Sequence, residues 1–84
     1  NALASARPAV TRRRLALLKY LKSHGDATVG QLADGIKLSF KATSKHLAVL
    51  RAADIVVSEQ KGLVVVYTLG NNLPSIVKSV ISIL

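Results

Sequence analysis

The feature that most constrains the fold is a pair of strand-forming segments late in the chain. IVVSEQ (55–60) and LVVVYTL (63–69) lie on either side of Lys61-Gly62. β-branched and aromatic residues favour strands, and a short glycine-containing turn between two such segments is typical of a β-hairpin. The sequence therefore predicts one hairpin, in a chain of 84 residues that is long enough for a single small domain.

Two helical patterns precede this hairpin. Apolar residues at helical spacing predict a first helix over 8–23, with Gly25 as its C-terminal cap. Thr28 and Gln31 have the spacing of a capping box, in which the two residues exchange side chain to backbone hydrogen bonds. They predict a second, short helix over 28–35.

A third helix is predicted over 40–53, with Ser39 as its N-cap after a tight turn at Lys37-Leu38. At about 100° per residue, its core side carries Thr43, Leu47 and Leu50. A second cluster, about 130° away, consists of Phe40, Lys41, Ser44, Lys45 and Ala48. Phe40 lies between the two clusters, so a core position for it stays open. Asp54 lies where the chain leaves this helix, a place for the left-handed conformation, which Asp tolerates better than most residues.

Three lysines, Lys37, Lys41 and Lys45, follow one another at four-residue spacing and form what we call the lysine face. Like charges at this spacing destabilise a helix by about 0.2–0.5 kcal/mol per pair, and no acidic residue lies between Lys37 and Leu50. Contact with phosphates relieves such repulsion, because each lysine displaces condensed counterions. The alternative is a solvated face without a function.

The overall charge also indicates a polyanionic partner. Twelve Lys and Arg against four Asp and Glu give a net charge of +8 and a pI near 10.5. Nucleic acid is the first candidate and an anionic membrane surface the second. Alternatively, the positive charge only keeps the chain soluble, since 50% of its residues are hydrophobic.

Other chemistry is excluded by what the chain lacks. It has no cysteine, hence no disulfide, thiolate metal site or thiol nucleophile, which fits a reducing cytoplasm. The four acidic residues are scattered and there is no glycine-rich phosphate loop, so no enzyme, cofactor or metal site is expected. His46 flanks the core and His24 lies at a helix end, which favours structural roles. The longest uncharged run, 63–77, is interrupted by Gly, Asn and Pro and cannot cross a membrane.

The last predicted helix, SIVKSVISIL after Pro74, is apolar on nearly every side. An exposed helix of this kind is an association hazard in a monomer. The segment 73–84 is therefore predicted to pair with a second copy and with the first helix. The residues predicted for dimerisation are Leu73, Ile76, Val77, Val80, Ile81 and Leu84. The alternatives are membrane-surface binding and burial within a missing part of a longer protein, since the chain does not begin with Met.

Together these elements give the order of a winged helix-turn-helix domain over 8–84, after a flexible arm at 1–7 whose start is typical of a cloning scar. LSFKATSKHLAVLRAADIV (38–56) resembles the recognition helix and its exit in the arsR (arsenic-repressor-like) family, where Leu-Ser is followed by Ser, a basic residue and His-Leu-x-x-Leu. TVGQLADGI (28–36) resembles the first motif helix, and VVVYTL (64–69) the second wing strand.

The resemblance implies a mostly α fold with a small β-hairpin (α+β) and an additional C-terminal helix. It also implies a homodimeric, sequence-specific regulator of transcription that binds double-stranded DNA, and a repressor. No residue in the matching segments corresponds to the cysteines or ligand clusters with which family members sense metals.

In such a domain the recognition helix, 40–53, lies in the major groove and the wing, 55–69, beside it, with the start of the helix at the base edges. Candidate base contacts are Phe40 with a thymine methyl, Lys41 with guanine acceptors and Ser44 with either base type. Candidate phosphate contacts are Thr28, Lys37, Lys45 and Lys61. The apolar wing leaves open a second interpretation, a winged-helix protein-protein interaction module within a larger protein.

Overall fold

The computed structural model of the chain describes residues 12–84. Its elements are α1 (Arg12–His24), β1 (Asp26–Thr28), α2 (Val29–Ile36), α3 (Phe40–Ala52), β2 (Val56–Lys61), β3 (Val64–Leu69) and α4 (Ser75–Ser82). The predicted winged helix-turn-helix with an additional C-terminal helix is confirmed. The predicted helix start at Pro8 and the predicted arm at 1–7 lie outside the described residues.

The wing belongs to a three-stranded antiparallel sheet in the order β1-β3-β2, where the sequence predicted a two-stranded hairpin. β2 and β3 form the hairpin, and β1 adds a third strand in which Ala27 lies opposite Tyr67. A three-residue segment is too short to show an alternating pattern, and it becomes a strand only because β3 provides its hydrogen-bond partners. The hairpin is therefore confirmed, and the third strand is a correction.

Both helices of the helix-turn-helix motif begin at the predicted caps. The Gln31 N–H donates to Thr28 Oγ1 over 3.2 Å, and the Thr28 N–H donates to Gln31 Oε1 over 2.9 Å, which completes the capping box of α2. Ser39 Oγ accepts from the Ala42 N–H over 3.1 Å at the start of α3. Asp54 has the predicted left-handed conformation, with φ of 59°. Local contacts thus determine where these helices begin.

The core lies where the first three helices meet the sheet. Its largest fully buried side chains are Leu17, Leu21, Leu32, Thr43, Leu47, Leu50 and Val56. All three residues predicted for the core side of α3 are among them. α1 and α2 approach closely because Gly35 has no side chain, and a Cβ at this position would collide with the Tyr20 ring. This approach holds the helix-turn-helix motif against α1.

The last helix packs one side onto the chain's own core and exposes the other. The side chains that pack inward are Leu73, Val77, Ile81 and Leu84. Ile81 is only 7% exposed, whereas Ile76 is 76% exposed, and Val80 is half-buried. The six residues predicted for dimerisation therefore have two different environments, which the apolar pattern alone did not distinguish.

Candidate nucleic-acid interface

The outward side of α3 carries the side chains predicted for base contacts. Because the core side of this helix is buried, its rotation about its own axis is set. Phe40, Lys41 and Lys45 are exposed as a result, and Ser44 is half-buried beside them. Phe40 is 63% exposed and is therefore a surface residue, although its place on the helical wheel also allowed a core position.

Lys37 belongs to the turn between α2 and α3 rather than to α3. Its φ of 56° is left-handed, and its N–H closes the end of α2 on the Asp34 carbonyl oxygen at 3.3 Å. Lys37 therefore lies in the predicted turn, and helical spacing does not continue through such a residue from Lys41 back to Lys37. The lysine face consists of one exposed turn residue followed by Lys41 and Lys45 on α3.

The wing carries one lysine and an apolar tip. Lys61 Nζ lies 3.2 Å from Asp26 Oδ2 on β1, so this predicted phosphate contact already has an anionic partner in the protein. Gly62 turns the chain with φ of 65°, and Leu63 beside it is fully exposed. Val64 is exposed as well. The wing thus presents apolar side chains at its tip.

Thr28, the remaining predicted phosphate contact, lies at the start of α2 with its side chain half-buried. Its oxygen accepts the capping hydrogen bond from Gln31. A hydroxyl can accept and donate at once, so this cap leaves the hydroxyl proton for a phosphate oxygen. The structure brings Phe40, Lys41, Ser44 and Lys45 together on α3. Thr28 lies at the end of β1 as the N-cap of α2, and Lys61 lies on the wing.

The first described turn of α1 is fastened to the middle of α3 by a contact that the sequence did not predict. Arg14, only 9% exposed, donates from Nε to Nδ1 of His46 over 3.1 Å. Burial lowers the pKa of His46, and the charges of Arg14, Arg13 and Lys45 lower it further. A neutral imidazole nitrogen accepts this hydrogen bond, whereas a protonated one cannot. His46 is therefore a hydrogen-bonded residue of the fold, as predicted.

The sequence contains a pattern that could have predicted the burial of Arg14. Arg14 occupies the same helical side as Leu17, Leu18 and Leu21, all of which are buried. An arginine in register with a core stripe predicts a buried guanidinium that needs an acceptor. The acceptor itself, 32 positions away in sequence, carried no such signal.

His24 also makes contacts within the fold. Its ring stacks on the Tyr20 ring with centroids 3.9 Å apart, and its Nδ1 lies 2.9 Å from the Tyr20 carbonyl oxygen. In residues 12–84, no three His, Asp or Glu side chains gather as a metal site would require. Among the helices of the same residues, none has the length and apolar character needed to cross a membrane.

Comparison with known proteins gives one family. The family model described as "Bacterial regulatory protein, arsR family" matches residues 11–58, which is more than half of the chain. A search of curated proteins finds no match.

Solved structures extend the likeness over nearly the whole chain. The transcriptional regulator HlyU from Vibrio vulnificus is 32% identical, with 98% of this chain and 81% of that chain covered and a TM-score of 0.76. A predicted DNA-binding transcriptional regulator from E. coli is 27% identical, with 98% and 83% covered and a TM-score of 0.77. NolR from Sinorhizobium fredii is 26% identical, with 98% and 78% covered and a TM-score of 0.76.

Proposed function

Because the chain belongs to the arsR family of bacterial regulatory proteins, we propose that it is a sequence-specific transcriptional repressor that binds double-stranded DNA as a homodimer. The observation that carries the proposal is the outward side of α3, a basic helix surface without an acidic residue. In helix-turn-helix proteins the N-terminal part of this helix enters the major groove. HlyU from Vibrio vulnificus, a transcriptional regulator, supports the proposal as a relative at 32% identity.

Three side chains at the start of α3 are proposed to contact bases. Lys41 donates to the guanine acceptors and Ser44 bonds to either base type. Phe40, the first residue of α3 and largely exposed, contacts a thymine methyl, which removes apolar surface of both groups from water. These contacts carry the sequence preference.

The proposed phosphate contacts are Thr28, Lys37, Lys45 and Lys61. For Lys61 this requires exchange of its Asp26 partner for a phosphate. The ion pair between them is about half exposed on both sides, and exposed pairs of this kind contribute only about 0–1 kcal/mol. A phosphate group can therefore replace the carboxylate at low cost.

The proposed domain covers 8–84, with segment 73–84 as its dimerisation element. Ile76 on α4 and Ile83 directly after this helix are exposed, and a two-fold related copy would cover the same patch on each partner. The two recognition helices then reach half-sites about 34 Å apart, and the occupied site blocks polymerase. The proposal assigns no catalysis, cofactor or metal to the chain and places it in the cytoplasm.

The test is a titration of the protein against a random double-stranded DNA pool at two salt concentrations, with sequencing of the bound fraction. We expect a motif with two-fold symmetry. Three lysine contacts per protomer give six per dimer, so affinity should fall by about 10³ between about 50 and 200 mM salt. The proposal would be overturned if no sequence motif were enriched in the bound DNA, or if the affinity did not change with salt concentration.

The second candidate is a winged-helix module that docks another protein. The observation that favours it is the wing tip, where Leu63 is fully exposed and Val64 and Val65 are exposed beside it. Apolar docking does not depend on counterion release and changes little with salt. The same titration therefore separates the two candidates.

A further inference from the structure

We propose that Arg13 of α1 is a phosphate contact, which extends the DNA-binding surface from α3 onto α1. The inference rests on the proposed function and adds a helix that the predicted contacts do not include. Arg12 precedes it on the same exposed turn.

The position of this turn is set by a contact with α3. Arg14 Nε lies 3.1 Å from His46 Nδ1 in the middle of α3, and the Arg14 side chain is nearly buried. The contact therefore holds the first described turn of α1 against the recognition helix. Arg13 and Arg12 next to it point into solvent.

Arg13 is joined to the lysine face through the contact between Arg14 and His46. Arg13 and Lys45 both lie near enough to His46 for their charges to disfavour its protonated form. One exposed cation of α1 and one of α3 are thus the chain neighbours of the hydrogen-bonded pair that joins the two helices. Lys45 in turn is one helical turn from Lys41, so the basic surface continues from Arg13 to the base-contacting end of α3.

Among the described residues, this basic surface lacks a counterion within the protein. The acidic residues of the chain are Asp26 on β1, Asp34 on α2, Asp54 in the turn after α3 and Glu59 on β2. Within the described part of the chain, the ion pair is that of Lys61 with Asp26. In this part of the chain no carboxylate forms an ion pair with the exposed cations of α1 and α3, which favours an external polyanion.

DNA phosphate is the anion that fits this place. A helix in the major groove has phosphate backbones along its sides, and Arg13 lies beside the flank of α3 that carries His46. A guanidinium bonds a phosphate through two N–H groups at once, which also fixes the orientation of the bound protein. Arg13 would therefore position α3 without reading sequence.

The experiment compares wild type, Arg13→Gln and Arg13→Lys by titration against the selected duplex at several salt concentrations. Lys19→Gln is the matched control, because it removes one exposed charge from the same helix at a place lined by Gly35 and Ile36 of α2. One lost contact per protomer should make the slope of log affinity against log salt shallower by about 0.9, hence by about 1.8 for a dimer. We expect this change for Arg13→Gln only, an unchanged motif, and most of the slope restored in Arg13→Lys.

Two outcomes overturn the inference while the proposed function survives. One is a slope of log affinity against log salt in Arg13→Gln that equals the slope of the wild type. The other is an equal change in Lys19→Gln, which would mean that net charge rather than position matters. If the wild type itself does not bind duplex DNA, the proposed function fails and the inference fails with it. Melting temperatures of all variants confirm that each is folded.

Discussion

At the scale of single residues, Thr43 is a polar group in an apolar place. It is fully buried on the core side of α3, and its hydroxyl has no hydrogen-bond partner in the part of the chain that the structure describes. A buried hydroxyl without a partner costs about 1–3 kcal/mol. The branched side chain of Thr43 therefore fills space in the core, whereas its unpaired hydroxyl lowers the stability of the fold.

We expect Thr43→Val to raise the free energy of unfolding by about 1 kcal/mol, because valine keeps the branched shape and removes the hydroxyl. Urea unfolding measures the change. Thr43→Ala is the control, since it also removes the methyl group and should lower stability through the cavity it leaves. A valine variant less stable than wild type would mean that the hydroxyl is satisfied in solution.

His46 gives the stability of the fold a pH dependence. Its pKa in the folded chain lies below the ordinary value of 6.5, chiefly through burial. As pH falls through 6.5, the unfolded chain binds a proton first, so the free energy of unfolding decreases. The loss begins near pH 6.5 and is complete once pH is below the lowered pKa of the folded state.

The prediction is that wild type melts at a lower temperature at about pH 5.5 than at about pH 7.5, and that His46→Gln reduces this difference. Glutamine can accept from Arg14 through Oε1 but does not titrate. His24 is present in both proteins, so any contribution from it cancels. An equal pH effect in both proteins would contradict the role given to His46.

At the scale of elements, α3 is a helix whose surface charges oppose its own formation. Lys41 and Lys45 stack one turn apart and are exposed, and the helix contains no acidic residue. Its folding depends on the buried side, formed by Thr43, Leu47 and Leu50. The exposed residues of α3 are therefore not required for its stability and can serve in binding.

Lys41→Ala and Lys45→Ala should therefore each weaken duplex binding and leave thermal unfolding unchanged or slightly improved. Each removes a repulsion of about 0.2–0.5 kcal/mol and introduces a better helix former. Binding titrations and melting curves measure the two effects separately, with Lys19→Ala as the control. A variant that binds as wild type does would exclude that lysine from the interface.

At the scale of the whole molecule, α4 carries the surface that we propose for dimerisation. Its inward side completes the core through Ile81, and its outward side exposes Ile76 and Ile83. A substitution at Ile81 would therefore damage the fold itself. A test of dimerisation needs a residue on the outward side.

Ile76→Glu should convert the proposed dimer to a monomer without a large loss of stability, because a charge at a two-fold interface meets its own copy and loses its water. Sedimentation of wild type and variant measures the change. Leu63→Glu is the control, since it places the same charge on an exposed apolar residue of the wing. A monomeric wild type would end the proposal of a dimer.

Local sequence patterns determined most of the architecture. The caps at Thr28 and Ser39 and the turn at Asp54 depend on residues within a few positions of each other, and all three were predicted. The periodicity of α3 likewise determined which side is buried, since burial of every third or fourth apolar residue requires no knowledge of the partner. The base-contacting candidates on α3 were found in the same way.

Only the tertiary structure decided the features that join distant parts of the chain. β1 is a strand because β3 lies beside it, Lys61 is paired because Asp26 lies on β1, and Arg14 has its acceptor 32 positions away on α3. The buried and exposed apolar residues of α4 differ for the same reason. The apolar part of this helix, which lies opposite Ser75, Lys78, Ser79 and Ser82, is too wide for the sequence to show which portion meets the core. Spacing along the chain reports contacts between near neighbours, whereas these contacts arise only when separate elements pack together.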